Sequence, residues 1–176
     1  MRENRSARMR LSRALASMLT LVSITAVSAT AQSFDLPNKK EPLQGITTGG
    51  QPNAEQLGAA ASAGYKTVID LRAPNEDRGM NEQAVVEKLG MSYVSLPIEG
   101  AAGVTFANAA ALADLLSTAA HPVLLHCSSG NRAGALLALR AKLGGSDNDA
   151  ALALGIAGGV TALKSTVEEK LAQGHD

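Results

Sequence analysis

Apolar and polar positions follow two alternating periods along residues 53–171. Short runs with β-branched members, Thr67–Leu71, Ser92–Leu96 and His121–His126, predict strands. Between and after them, apolar residues recur at helical spacing. The segments are Ala54–Ala63 behind Asn53, Asn81–Leu89 before Gly90, and a stretch from Thr105 or Asn108 to Ser117. Three more follow: Arg132–Leu143, Asp147 or Asp149 to Ile156, and Val160–Leu171. Residues 32–52 read as an irregular lead-in, because Pro37, Pro42, Gly45, Gly49, Gly50 and Pro52 interrupt any period. Strands that alternate with helices in this way predict a three-layer α/β domain, with a small, mostly parallel central sheet of about four strands flanked by helices. Ligands of such sheets bind at the carboxyl ends of the strands, where Cys127 and the loops after Leu71 and Leu96 all fall.

The start of the chain breaks this pattern. Arg2, Arg5, Arg8, Arg10 and Arg13 stand against one acid, Glu3, and precede an uncharged apolar run from Ala14 that ends in Ala29-Thr30-Ala31. That order predicts a secretory signal peptide over residues 1–31, and hence a periplasmic or secreted product with a single domain over 32–176. The uncharged run is near spanning length, so an uncleaved anchor is the competing reading, but its Ser and Thr content and the Ala-x-Ala ending weaken it. Five of the 16 basic and one of the 16 acidic residues lie in this segment, which leaves 11 against 15 and a net charge of about −4 in the remainder. This balance argues against nucleic acid as a partner, and against an anionic membrane after cleavage.

One cysteine, Cys127, cannot form an intramolecular disulfide, so in an oxidising compartment it is either buried and inert or kept for chemistry. Its setting favours chemistry. The apolar run Val123-Leu124-Leu125 leads through His126 into Cys127-Ser128-Ser129-Gly130-Asn131-Arg132, and a helical segment follows. Backbone N–H groups of Ser128, Ser129, Gly130 and Asn131 at a helix start can converge on an anion. Arg132 can bind two oxygens as a planar fork, and the positive surroundings favour a thiolate nucleophile. His126 alternates away from the cysteine and is expected to play a supporting part, as are Asp70 and Arg72. Glu99 sits at a strand mouth where a carboxylic acid can protonate a leaving group, with Asp77 the next choice. Glu76, Asp77 and Arg78 otherwise read as a solvated loop. The three histidines lie far apart in the pattern and no paired carboxylate accompanies them, so neither a metal nor an organic cofactor is expected.

The segment from Cys127 to Arg132 resembles the signature loop of the cysteine-dependent phosphatases of the tyrosine and dual-specificity type. Several further blocks are similar, in order, to the small bacterial domains called beta-lactamase hydrolase-like, phosphatase-like. They include Gly50-Gln51-Pro52-Asn53, Gly64-Tyr65-Lys66-Thr67-Val68-Ile69-Asp70-Leu71-Arg72, Glu76-Asp77, Leu96-Pro97-Ile98 and Pro122 to Cys127. The resemblance implies a dual-specificity-phosphatase fold, with Cys127 as attacking thiolate, Arg132 as phosphate clamp, a phosphocysteine intermediate and an acid from a neighbouring loop. Its ligands would be phosphate or sulfate, and its substrate a phosphorylated small molecule or phosphoprotein, such as a phosphotyrosine-like or small aryl phosphate.

Two positions depart from the phosphatase pattern. Four residues separate Cys127 from Arg132 where the signature has five, and Ala133 stands where Ser or Thr commonly follows the arginine. A six-residue loop is similar to that of the rhodaneses, so sulfur transfer through a Cys127 persulfide is an alternative, and anion binding without turnover is a third. The oligomeric state is not legible.

Overall fold

The structure is a computed structural model that describes residues 34–174; the predicted signal peptide lies outside the described residues. Five strands form one sheet in the order β1-β2-β5-β3-β4. They are β1 (Lys40–Leu43), β2 (Ile46–Gly49), β3 (Thr67–Asp70), β4 (Ser92–Ser95) and β5 (Val123–His126). All pairings are parallel except β1 with β2. The helices are α1 (Ala54–Ser62), α2 (Glu82–Lys88), α3 (Phe106–Thr118), α4 (Asn131–Leu143), α5 (Asn148–Ala157) and α6 (Lys164–Gln173).

Side-chain alternation along the strands makes the three layers. Val68 of β3 and Leu124 of β5 pack with Leu57 and Ala60 of α1 and Val86 of α2 on one face. Their neighbours Ile69, Val123 and Leu125 point the other way, into a larger core with Leu112 and Leu116 of α3, Leu136 and Leu139 of α4, Ala151 of α5 and Val167 of α6. Because so few aromatics are available, this core is built from aliphatic side chains and alanines, and α4 is buried along most of its length.

The expected irregular lead-in is corrected in one respect: residues 40–49 form a hairpin, so the sheet has five strands. Pro42 is tolerated because β1 is an edge strand, where a missing N–H costs no ladder bond. The short run Ile46-Thr47-Thr48-Gly49 becomes a fully buried strand because it pairs along the whole of β5, a tertiary contact that no local pattern announces. The last helix also starts later than expected, at Lys164, since residues 158–163 form a turn between α5 and α6.

Helix starts show how the site is set apart. In α1, Asn53 and Gln56 make a reciprocal capping box, with Gln56 N donating to Asn53 Oδ1 at 2.8 Å and Asn53 N to Gln56 Oε1 at 2.9 Å. Thr105 caps α3 and Asp147 caps α5 through their side chains. Helix α4 has no side-chain cap; Gly130 precedes it with φ of 89°, so the first-turn amides are left for another partner.

Candidate active site

The central strand β5 delivers Cys127 to the carboxyl edge of the sheet. Its register sets His126 between Gly49 of β2 and Asp70 of β3, so one strand end carries both the thiol and a buried polar group. The thiol sulfur accepts the Gly130 N–H at 3.1 Å. That bond folds the loop back on the sulfur, and the positive φ of Gly130 makes it possible. Cys127 itself has no exposed surface (0%).

Arg132, on the first turn of α4, is also buried, and its guanidinium is held on several sides. Nη1 donates to Glu76 Oε1 at 2.5 Å and to the Ile98 carbonyl at 2.8 Å; Nη2 donates to Glu76 Oε2 at 2.7 Å and to Ser128 Oγ at 3.0 Å. Glu76 therefore grips the fork with both oxygens, as a substrate oxyanion could. The Arg132 hydrogen bonds, outweighing the opposing effect of burial, lower the Glu76 carboxyl below its ordinary value, and a bond from Ala73 N to Glu76 Oε1 at 2.8 Å adds to this. The solvated loop expected over residues 76–78 is thus a structured arm, with Glu76 on Arg132 and Arg78 on Asp70.

A cavity of about 500 Å³ opens beside these groups. Glu76, Ser128, Ser129, Asn131 and Arg132 line it, together with Asn75, Glu99 and Gly100 from the loops after β3 and β4 and Ala162 and Leu163 from the α5–α6 turn. The cavity thus brings together Arg132, Ser128, Ser129, Asn131 and Glu99, while Cys127 and Gly130 are not in its wall. Asp77 is not in the cavity wall; its exposed carboxylate accepts the Gly79 N–H at 2.7 Å. The Asn131 side chain turns away from the loop amides and accepts bonds from Thr161 and Leu163.

Behind the loop lies a buried charge network. Asp70 accepts from Arg72 N at 2.9 Å and Arg72 Nε at 3.0 Å through Oδ1, and through Oδ2 from Arg72 Nη2 at 3.2 Å, Arg78 Nε at 2.8 Å and the Tyr93 hydroxyl at 2.9 Å. Arg72 Nη2 also bonds to Glu82 Oε2, and His126 Nε2 lies 2.7 Å from Glu82 Oε1. Burial alone would raise the Asp70 carboxyl, but the Arg72 hydrogen bonds and nearby His126 hold it down at about 2. Tyr93 is pushed the other way, up to about 12, by burial and by the Asp70 charge it faces. Asp70, Glu82 and His126 could bring ligand atoms within 4.8 Å of one another, but the Arg72 guanidinium already bonds to both carboxylates and supplies the positive charge there. Asp70, Arg72 and His126, expected as supporting residues, thus lie together in this buried network. Glu82 escaped the sequence reading because an acid in a first helical turn looks like an ordinary dipole partner. Glu76 was read as part of a solvated loop and as a member of the similar blocks, not as a partner of Arg132.

The chain is 35% identical over 98 residues to the beta-lactamase hydrolase-like protein of Xylella fastidiosa strain Temecula1, a match covering 53% of this chain and 22% of the relative. It thus corresponds to about a fifth of that protein's length. Among solved structures, nma1982 of Neisseria meningitidis Z2491 superposes with a TM-score of 0.65 at 17% identity, covering 76% of this chain and 98% of that one. TpbA of P. aeruginosa superposes with a TM-score of 0.57 at 20% identity, covering 84% and 92%. TpbA has also been solved in complex with phosphotyrosine. The model of the DSP-PTPase phosphatase fused to NAD+ kinase matches residues 18–164, and the chain belongs to this family of cysteine-dependent phosphatase domains.

Proposed function

We propose that the protein hydrolyses phosphate monoesters through a phosphocysteine on Cys127. The observation that carries this reading is the Arg132 fork, fixed by Glu76 and the Ile98 carbonyl at the start of an uncapped helix beside a strand-end thiol. Such a site fixes the Arg132 guanidinium ahead of an arriving anion. The phosphoryl oxygens take the first-turn amides of α4 and the Nε face of Arg132, while Glu76 keeps its hold on the two terminal nitrogens. Small shifts of the loop uncover the sulfur. The thiolate then attacks phosphorus in line, an S–P bond forms, the P–O ester bond breaks, and the leaving oxygen takes a proton from Glu99. Water attacks the phosphocysteine, returns a proton to Glu99, and releases orthophosphate and free Cys127.

The cavity and a structural relative support a substrate class. The phosphotyrosine complex of TpbA supports aryl phosphates, on a phosphoprotein or as small molecules, and nothing in the mechanism calls for a metal or organic cofactor. Sulfur transfer is kept as a second reading because four residues separate Cys127 from Arg132, and because a loop amide points at the sulfur itself. Export is part of the proposal and rests on the arginine-rich start and the Ala29-Thr30-Ala31 box; sequencing of the mature N-terminus is expected to begin at Gln32.

The test is steady-state hydrolysis of aryl phosphates whose leaving groups differ in basicity. C127S is expected to abolish turnover. E99Q should slow esters of basic leaving groups by about 10²-fold or more while sparing acidic ones, since only a basic oxygen needs the proton. Turnover that survives in C127S would overturn the reading, and an equal loss across all esters would remove Glu99 from its role.

A further inference from the structure

We infer that Asn131 is a positioning residue: its side-chain carbonyl holds the α5–α6 turn as the apolar wall that contacts the leaving group of the substrate. The inference rests on the anion site proposed above but concerns the opposite end of the ligand.

The argument begins with what holds the turn. Its first half is fixed from below by backbone packing. The Gly158 carbonyl accepts the buried Thr48 hydroxyl at 3.0 Å, and Gly134 of α4 approaches the backbone of Gly155, Gly158 and Val160 so closely that a Cβ there would lie 2.5 Å from the Gly155 oxygen. The second half, Thr161 to Leu163, has a different anchor. Asn131 Oδ1 accepts Thr161 N at 2.8 Å, Thr161 Oγ1 at 3.1 Å and Leu163 N at 3.3 Å. Leu163 stands at the N-cap of α6 and offers no side-chain capping bond, so Asn131, 32 residues away, accepts the N–H of the cap residue in its place.

The consequence lies in the cavity. Ala162 and Leu163 line the same space as Arg132 and Ser128, and among its lining residues they stand with Ala73 as the apolar surfaces. An inorganic phosphate needs only the loop and Arg132. A phosphate ester carries a further group that must lie against a wall, and an apolar wall suits an apolar or aromatic leaving group. Asn131, between the anion loop and the turn, couples the two halves through one oxygen. Its amide also donates from Nδ2 to Ser129 Oγ at 3.4 Å. The N131D change keeps the acceptor but places a negative charge beside the anion site, so it separates the two ends of the ligand.

The experiment measures binding of two probes, inorganic phosphate and phenylphosphonate, by titration calorimetry on wild type, N131A, N131D and L163A, with thermal melts to confirm folding. Phenylphosphonate is not hydrolysed, so the test does not depend on turnover. Wild type is expected to bind phenylphosphonate more tightly than phosphate. L163A should lose about tenfold of that preference while phosphate affinity stays constant, the size expected for a lost apolar contact, and N131A should lose the same preference. N131D should keep the preference and weaken both probes together. Equal affinity of wild type for the two probes, or an unchanged preference in L163A, would overturn the wall. If N131A fails to fold or weakens both probes alike, the preference retained by N131D decides: its loss would overturn the assignment of Asn131 as an acceptor. Failure of wild type to bind either anion would instead refute the anion site on which the inference stands.

Discussion

At the scale of single residues, the site works by holding charges that would otherwise be mobile. Arg132 gives bonds from both terminal nitrogens to protein acceptors, and Glu76 alone takes two of them. A lysine in its place keeps the charge but loses the fork, so R132K is expected to lower kcat/KM for an aryl phosphate by about 10²-fold, measured at fixed ionic strength. Asp70 is a second such point. It is fully buried and accepts five donors, so D70N leaves Arg72 and Arg78 short of a counter-charge and is expected to destabilise the protein by about 3–5 kcal/mol in urea denaturation. The pH dependence follows with its sign. The folded carboxyl titrates near 2 against an ordinary 3.8, so Asp70 contributes stability that is present above about pH 4 and is lost as pH falls toward 2. Wild type is therefore expected to lose stability through that window more steeply than D70N by the same assay, the slope left in D70N coming from other carboxylates held down by partners, such as Glu76. Cys127 and Arg132 were legible in the sequence because a single thiol, a glycine turn and an arginine at a helix start form a local pattern. Glu76 and Glu82 were not, because their partners come from β5 and α4, distant in the chain.

At the scale of elements, the signature loop depends on helix α4 being packed closely against the α5–α6 turn. Gly134 is the point of nearest approach, and a methyl there would meet backbone atoms, which cannot swing aside as a flexible side chain can. G134A is expected to cost about 1–3 kcal/mol by overpacking, read as a lowered melting temperature in calorimetry, and to reduce the preference for phenylphosphonate over phosphate as the turn is pushed away from the loop. The helices and three of the strands could be read from periodicity and caps. The β1–β2 hairpin could not, since its four-residue strands carry Pro42 and Gly49 and owe their conformation to pairing with β5 rather than to local preference. The turn before α6 was hidden for a related reason: its hydrogen-bond acceptor is Asn131, a residue that read as part of the anion loop.

At the scale of the whole domain, the three layers assign separate tasks. One face of the sheet, with α1 and α2, carries Glu82, which closes the buried charge network behind the loop. The other carries α4 and its neighbours, which hold the loop and the cavity walls. The sheet joins the two through β5, whose last residue His126 faces the network and whose next residue is the thiol. Among the described residues no helix is long and apolar enough to cross a membrane. The central claim is chemical, and it is tested most directly by intact mass of wild type and C127S after brief exposure, under non-reducing conditions, to an aryl phosphate and separately to thiosulfate. The account predicts a gain of about 80 mass units in wild type from the aryl phosphate, with release of the phenol and no gain in C127S. A gain of about 32 from thiosulfate, with none from the aryl phosphate, would contradict it and assign the thiol to sulfur transfer.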